Sequence, residues 1–357
     1  MTQAGRRWRA WAGNAGLLVA SLLVGLLVLE LACRVRQGPA TLLDWHNLAG
    51  RGHRFVPSPG RSGYDPRLGV VPKPGLRSAT VNIDADGNRR MPPFPDTAPV
   101  TPTVLVTGDS YAFGLDVGDA ETLPAYLQDM MWRPFSNAGV PGFGLDQIML
   151  RSEQLAPIVH PSALIVTFIA DDIWRTEFSR LWSSDKPWFS LADNGTLVLH
   201  NVPVPPPGNG ESGMSAWQRL FGWSWLVETV MRRIGRDDDW IWDHRRVLPS
   251  GYGERLACPL MQRLAKIGVQ TLVVAQYDHS LWQPGRDKRR AEHRRLSTLV
   301  LACAHSAGMP TLDTFDLVER AIRKRGFDAL YIGEHHTPLA NRLIAKAIVA
   351  ELIRLGY

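Results

Sequence analysis

From Trp11 to Cys33 the chain is almost wholly apolar, with Leu and Val filling most positions between Leu17 and Leu29. About 20 such residues suffice to cross a bilayer as a helix. After this run the periodicity lapses. Residues 37–102 are rich in Gly, Pro and Arg and offer only short strands and turns, around Tyr64-Asp65-Pro66-Arg67-Leu68-Gly69 and Val81-Asn82-Ile83, before the proline-dense link 92–102. A different pattern then begins. Val104-Leu105-Val106, Ala163–Phe168, Thr271–Ala275 and a stretch near 310–312 read as buried strands, and 123–131, 255–266, 294–306 and 338–355 as helices. Continuous apolar strands alternating with amphipathic helices predict a three-layer α/β fold, a parallel sheet of about five strands covered on both faces.

The alternation breaks between Trp174 and Gly253. This stretch holds most of the tryptophans, the hairpin-like Asp193-Asn194-Gly195 and the turn-forming prolines of 203–207. It predicts an insertion over the sheet edge, a lid or a substrate-shaping subdomain. The expected organisation is therefore a cytoplasmic tip and transmembrane anchor over 1–36, a Pro/Gly-rich extension over 37–102, and one α/β domain over 103–357 with residues 174–253 inserted.

Composition narrows this picture further. The chain has 357 residues, 45% of them hydrophobic, which is ample for a core. The formal charge of +6 is modest. Part of it lies in Lys288, Arg289, Arg290, Arg294 and Arg295, next to Asp287 and Glu292 and leading into apolar Leu296, Leu299 and Val300. That spacing reads as a helix with a solvated basic face, without the aromatic interleaving of a nucleic-acid surface. Three cysteines make no disulfide framework, and Cys258 and Cys303 read equally well as a pair in an exported domain or as buried thiols. No His/Cys spacing suggests a metal site, and no cofactor is implied. The apolar N-terminal run admits three readings: an uncleaved anchor, a cleaved signal peptide, or a lipoprotein signal ending at Leu31-Ala32-Cys33. The run is longer than a signal-peptide core, and Glu30 stands where a lipoprotein signal has an aliphatic residue, so a single-pass anchor is preferred. All three place the remaining chain on the extracytoplasmic side.

The candidate chemistry begins at Val104-Leu105-Val106-Thr107-Gly108-Asp109-Ser110-Tyr111. A buried strand running into Gly-Asp-Ser puts a serine at the carboxyl edge of the sheet, where ligands of open α/β sheets bind. Alone, the tripeptide is equally a turn in which Ser110 caps a helix. Three further blocks follow it in order: Asn137-Ala138-Gly139-Val140-Pro141-Gly142-Phe143-Gly144, then Phe168-Ile169-Ala170-Asp171-Asp172-Ile173, and Glu334-His335-His336-Thr337-Pro338 leading into the last helix. Together they resemble the conserved blocks of the SGNH (GDSL-like) hydrolases, and the resemblance extends over residues 64–357.

The resemblance implies that Ser110 is a nucleophile and His335 its base, with His336 as the rival. It implies an oxyanion hole made by the Ser110 and Gly142 backbone N–H groups and the side chain at 171. Two positions depart from the family. Asp171 stands where the family has asparagine; a carboxylate repels an oxyanion unless it is protonated or holds another donor. Gly333 and Ile332 stand where the family has the aspartate that orients the histidine, leaving Glu334 or Asp328 as candidates. The implied activity is esterase chemistry through an acyl-enzyme, on O-acyl (acetyl) groups of a cell-surface carbohydrate or lipid of the cell envelope. An O-acyltransferase, or a catalytically silent glycan-binding domain, are the alternatives.

Overall fold

The computed structural model describes residues 3–48, 60–95, 102–181, 184–206, 214–236, 240 and 250–357. The chain divides into two compact units, one made of Met1–Phe55 and Gly208–Val247, the other of Val56–Pro207 and Leu248–Tyr357.

The larger unit is built on five strands: β1 Val104–Thr107, β2 Phe135–Asn137, β3 Ala163–Phe168, β4 Thr271–Ala275 and β5 Thr311–Asp313. They form one sheet in the order β2-β1-β3-β4-β5, and every neighbouring pair is parallel. Every residue of β1, β3 and β4 is buried, as strands covered on both faces must be. The order reverses between β1 and β3. At such a switch point the connections leave in opposite directions and open a crevice at the strands' carboxyl ends. Ser110 follows β1 there.

Helices are numbered along the whole chain. Three belong to the smaller unit: α1 Gln3–Gln37, α6 Ala216–Phe221 and α7 Trp225–Arg233. Those of the larger unit are α2 Ser110–Phe113, α3 Leu123–Met131, α4 Leu145–Val159, α5 Ala170–Arg175, α8 Tyr252–Ala265, α9 Asp287–Ser306, α10 Phe315–Arg325 and α11 Pro338–Arg354. Ile148 of α4, Leu260 of α8 and Val300 of α9 cover one face of the sheet; Leu127 of α3 and Ile344 of α11 cover the other. A parallel sheet of five strands flanked by helices on both faces is the three-layer α/β fold that the alternation predicts. Cys258 of α8 and Cys303 of α9 form a disulfide, which resolves the two readings left open by their apolar surroundings. The basic run of α9 is largely ion-paired: Arg290 to Asp287, Arg294 to Asp316, and Arg295 to both Glu292 and Glu254.

Residues 174–253 do not act as one insertion. Their first part stays with the sheet, in the hairpin Trp188–Leu191 and Leu197–His200. Buried Lys186 ties it down, reaching Asp146 Oδ2 of α4 at 2.6 Å and the Phe178 carbonyl at 3.1 Å. Residues 208–247 group instead with the N-terminal segment.

In that smaller unit the stretch Gly13–Gln37 of α1, with a mean hydropathy of 2.4 over an 18-residue window, is long and apolar enough to cross a membrane. The two short helices α6 and α7 are capped by Ser215 and Ser224.

Candidate active site

The β1-to-α2 turn owes its shape to glycine. A Cβ on Gly108 would lie 2.6 Å from Thr167 Oγ1 and 2.7 Å from the Ala112 methyl, so no side chain fits where the turn crosses β3. Asp109 caps α2, its Oδ1 accepting the Tyr111 N–H at 2.9 Å. Ser110 is then the first helical residue, and its own N–H has no intrahelical acceptor.

Asp109 is fully buried over α5, with Arg175 Nη1 3.9 Å from its Oδ2 and 2.5 Å from Asp172 Oδ1. Burial raises the pKa of both carboxyls, and Arg175 opposes the rise in each.

The 137–144 block closes a second side. The Phe143 N–H donates to the Val140 carbonyl across Pro141-Gly142, with Gly142 at φ +82°, the geometry of a type II turn that proline and glycine favour. The Val140 N–H donates to the Gly108 carbonyl at 2.9 Å, and a Cβ on Gly139 would collide with the Phe113 nitrogen. The turn is thus pressed against the serine's own helix.

The histidines arrive on a tight hairpin, Tyr331-Ile332 pairing antiparallel with His335-His336 across Gly333-Glu334. Successive strand residues face opposite ways, and the two imidazoles have different fates. His335 Nε2 lies 2.9 Å from Ser110 Oγ. His336 packs against the rings of Tyr111 and Tyr331, and burial pushes its pKa down to about 3. A ring held neutral this way and turned from the serine is packing, so His335 is the candidate base.

The carboxylate beside His335 is neither of the two candidates read from the sequence. His335 Nδ1 lies 2.7 Å from Oδ2 of Asp116, six residues beyond the serine. Neither Glu334 nor Asp328 takes that position. Glu334 contributes its backbone: its carbonyl accepts the Tyr111 hydroxyl at 2.8 Å. The His335 hydrogen bond holds the Asp116 pKa below the usual aspartate range. Gly333, at φ +58°, explains the arrangement, because a Cβ there would lie 3.0 Å from Asp116 Oδ2. The Asp116 carboxylate thus occupies the space that a side chain at 333 would need.

One arginine from the 37–102 extension shapes the Asp116 loop. Arg89 is buried and donates to the carbonyls of Phe113, Gly114, Thr80 and Val117, while its Nε reaches Asp119 Oδ1 at 2.9 Å. Asp119 also accepts two bonds from Asn82. The extension is a brace for this loop. Sequence reading missed both Asp116 and Arg89. The available signal was indirect: with no acid at 332 or 333, the carboxylate had to come from another loop at the same sheet edge, and Asp116 stands on the nearest one.

Asp171 begins α5, but its carboxylate is engaged elsewhere. Arg289 Nη2 lies 3.4 Å and His293 Nε2 3.6 Å from its Oδ1, and the Arg289 guanidinium sits 5.7 Å above the Trp174 ring. The side chain facing this carboxylate is thus the Arg289 guanidinium. Among the described residues no cluster of His, Cys, Asp and Glu is arranged to hold a metal ion.

No family model matches the chain, and no curated protein does. Among solved structures it is similar to LAE5, an alpha/beta hydrolase enzyme from the metagenome of Lake Arreo, Spain, at 17% identity over 70% of this chain and 94% of that one, with a TM-score of 0.42. It is also similar to a mutant of Axe2, an acetyl-xylooligosaccharide esterase from Geobacillus Stearmophilus, at 13% identity over 71% and 94% of the two chains, TM-score 0.42. A third is a putative lipolytic protein of the G-D-S-L family from Desulfitobacterium hafniense DCB-2, at 10% identity over 70% and 99%, TM-score 0.36.

Proposed function

We propose that this chain is a membrane-anchored serine esterase that cleaves O-acyl esters through an acyl-enzyme. The observation that carries the reading is the continuous relay from Asp116 Oδ2 to His335 Nδ1 at 2.7 Å and from His335 Nε2 to Ser110 Oγ at 2.9 Å. A serine hydroxyl is a weak nucleophile near neutral pH unless a base takes its proton as it attacks. Asp116 holds His335 in the tautomer with its proton on Nδ1, leaving Nε2 free to accept, and stabilises the imidazolium that follows. Ser110 Oγ bonds to the acyl carbon, and the carbonyl oxygen becomes an oxyanion facing the backbone N–H groups of Ser110 and Gly142. Collapse breaks the ester bond, and His335 Nε2 returns its proton to the leaving alkoxide. Water, deprotonated by the same nitrogen, then releases the acid. Asp171 pairs with the Arg289 guanidinium, so the reading rests on the two backbone donors.

The finer reading is an O-acetylated cell-surface glycan or lipid substrate, with the catalytic unit on the extracytoplasmic side. Two observations support the location: the apolar span of α1, and the Cys258–Cys303 disulfide, a bond that persists in oxidising compartments. The test is fluorophosphonate labelling of the full chain in detergent, alongside hydrolysis of a short-chain aryl ester. Labelling of the wild type that is absent in Ser110→Ala is the expected outcome. A folded wild type that neither labels nor turns over would sink the esterase reading in favour of a silent binding domain.

A further inference from the structure

Glu30 and Arg34 are charged residues one turn apart near the end of the apolar helix, and both are almost fully buried. The Glu30 carboxylate accepts four hydrogen bonds: from Arg34 Nε at 2.7 Å, Ser224 Oγ at 2.7 Å, and the backbone N–H groups of Trp225 at 3.0 Å and Leu226 at 2.9 Å. The last two are orphan donors at the start of α7, so an anion from α1 caps that helix. Arg34 completes the joint. It donates to the carbonyls of Thr41 at 2.9 Å, Asp44 at 2.6 Å and Trp223 at 3.0 Å, and its guanidinium lies 4.0 Å above the Trp45 ring. Residues far apart in the chain are locked to the last turns of α1 by a fully satisfied ion pair.

The joint has a definite depth. At about 1.5 Å per residue, Glu30 lies roughly 26 Å along the helix from Gly13, close to the ~30 Å thickness of a hydrocarbon core. The smaller unit exposes Leu43 (87%), Trp45 (52%), Trp217 (68%), Leu220 (59%), Trp223 (37%) and Ile234 (61%). Trp45 and Trp223 are in ring contact at 5.7 Å. Exposed apolar surface of this kind marks an interaction site, and α1 itself exposes Leu26, Leu27 and Leu31 in the turns before Arg34. Tryptophan concentrated at one end of a span is the composition of a membrane–water interface. Exposed Arg219 and Arg233 on the same two helices suit lipid phosphates.

We propose that α6 and α7, with the turn after α1, form a bracket seated in the bilayer interface at the C-terminal end of the span, clamped there by Glu30 and Arg34. The lipid headgroup–acyl boundary is its occupant. The proposal rests on reading α1 as a membrane span, and its test separates the two. The full chain, with Cys33→Ala, is reconstituted in nanodiscs of zwitterionic and anionic phospholipid. Single nitroxide labels are placed at Leu220→Cys, at Ile234→Cys as a second bracket site, at Leu23→Cys in mid-span, and at Lys324→Cys on the exposed side of α10. Collision with lipid-soluble oxygen is compared with collision with an aqueous nickel chelate.

The expected result is an oxygen-to-nickel ratio several-fold higher at positions 220, 234 and 23 than at 324. Glu30→Gln should lower the ratio at 220 and 234 towards that at 324 and leave position 23 unchanged; an unchanged bracket ratio would remove the clamp. Nickel access at 220 and 234 with oxygen access at 23 overturns the bracket and leaves the anchor standing. Shielding of 220 and 234 from both reagents overturns it in favour of a protein partner. Nickel access at 23 overturns the anchor itself.

Discussion

The nucleophile turn and the acid loop lie six residues apart in the chain, yet they are held by different means. At Ser110 the backbone does the work: a glycine that must be glycine, a turn pressed against α2, and a parallel ladder behind it. At Asp116 a side chain from the extension does it, since Arg89 gathers the carbonyls of Phe113, Gly114 and Val117. Close backbone packing tolerates almost no variation, whereas a loop gathered by one guanidinium is free to take a new residue. Ser110 is thus set by close backbone packing, and Asp116 by a side chain reaching in from the extension.

The strongest way to break the comparison is at the serine. Ser110→Ala and His335→Ala should each reduce ester turnover on the order of 10⁶-fold, and the double variant should be no worse than either, because the two act as a unit. Steady-state rates on an aryl ester measure this. Additive losses would mean that they do not share one proton transfer.

Next in size is the acid. Asp116→Asn should lower kcat by roughly 10⁴-fold, the cost of losing the carboxylate that sets the histidine tautomer. Gly333→Asp in an Asp116→Gly background should recover part of that loss, since a side chain at 333 enters the space of the Asp116 carboxylate and aspartate tolerates left-handed φ better than most residues. No recovery in a folded double variant would show that the acid must come from the Arg89-braced loop.

Arg89→Ala should cost roughly 100-fold in kcat through displacement of Asp116. A brace that works through the acid has a signature: the loss should shrink sharply in an Asp116→Asn background. Equal losses in both backgrounds, with a parallel fall in Tm, would reduce Arg89 to a purely structural role.

The smallest effect on rate belongs to His336. His336→Phe should leave turnover within a few-fold and change the acid stability profile instead. Its pKa falls from the ordinary 6.5 to about 3 on folding. The unfolded chain therefore binds the extra proton below the unfolded value, and stability is lost as pH falls from about 6.5 towards about 3. Thermal melts across that window should be flatter for the variant.

Much of this was legible in one dimension. The buried strands at Val104, Ala163 and Thr271 announced themselves as continuous apolar runs, and the Gly-Asp-Ser turn placed Ser110 at their carboxyl edge. The resemblance of the last block to that of the family favoured His335 over His336. Helix α9 starts seven residues before the predicted 294, because its first turns are basic and exposed and carry no apolar rhythm. The tryptophan-rich stretch read as one insertion because composition does not reveal which unit a segment joins; residues 208–247 cluster with α1.

Local alternation determined the layers, the place of Ser110 at the sheet's carboxyl edge and the apolar span of this protein, because each is a property of neighbouring residues that any fold must respect. The tertiary structure alone decided that Asp116 meets His335, that Arg89 supports Asp116, and that Glu30 caps a helix far along the chain. Those are pairings of side chains across long separations. Nothing in a carboxylate's immediate neighbours says which cation or imidazole the folded chain will bring to it.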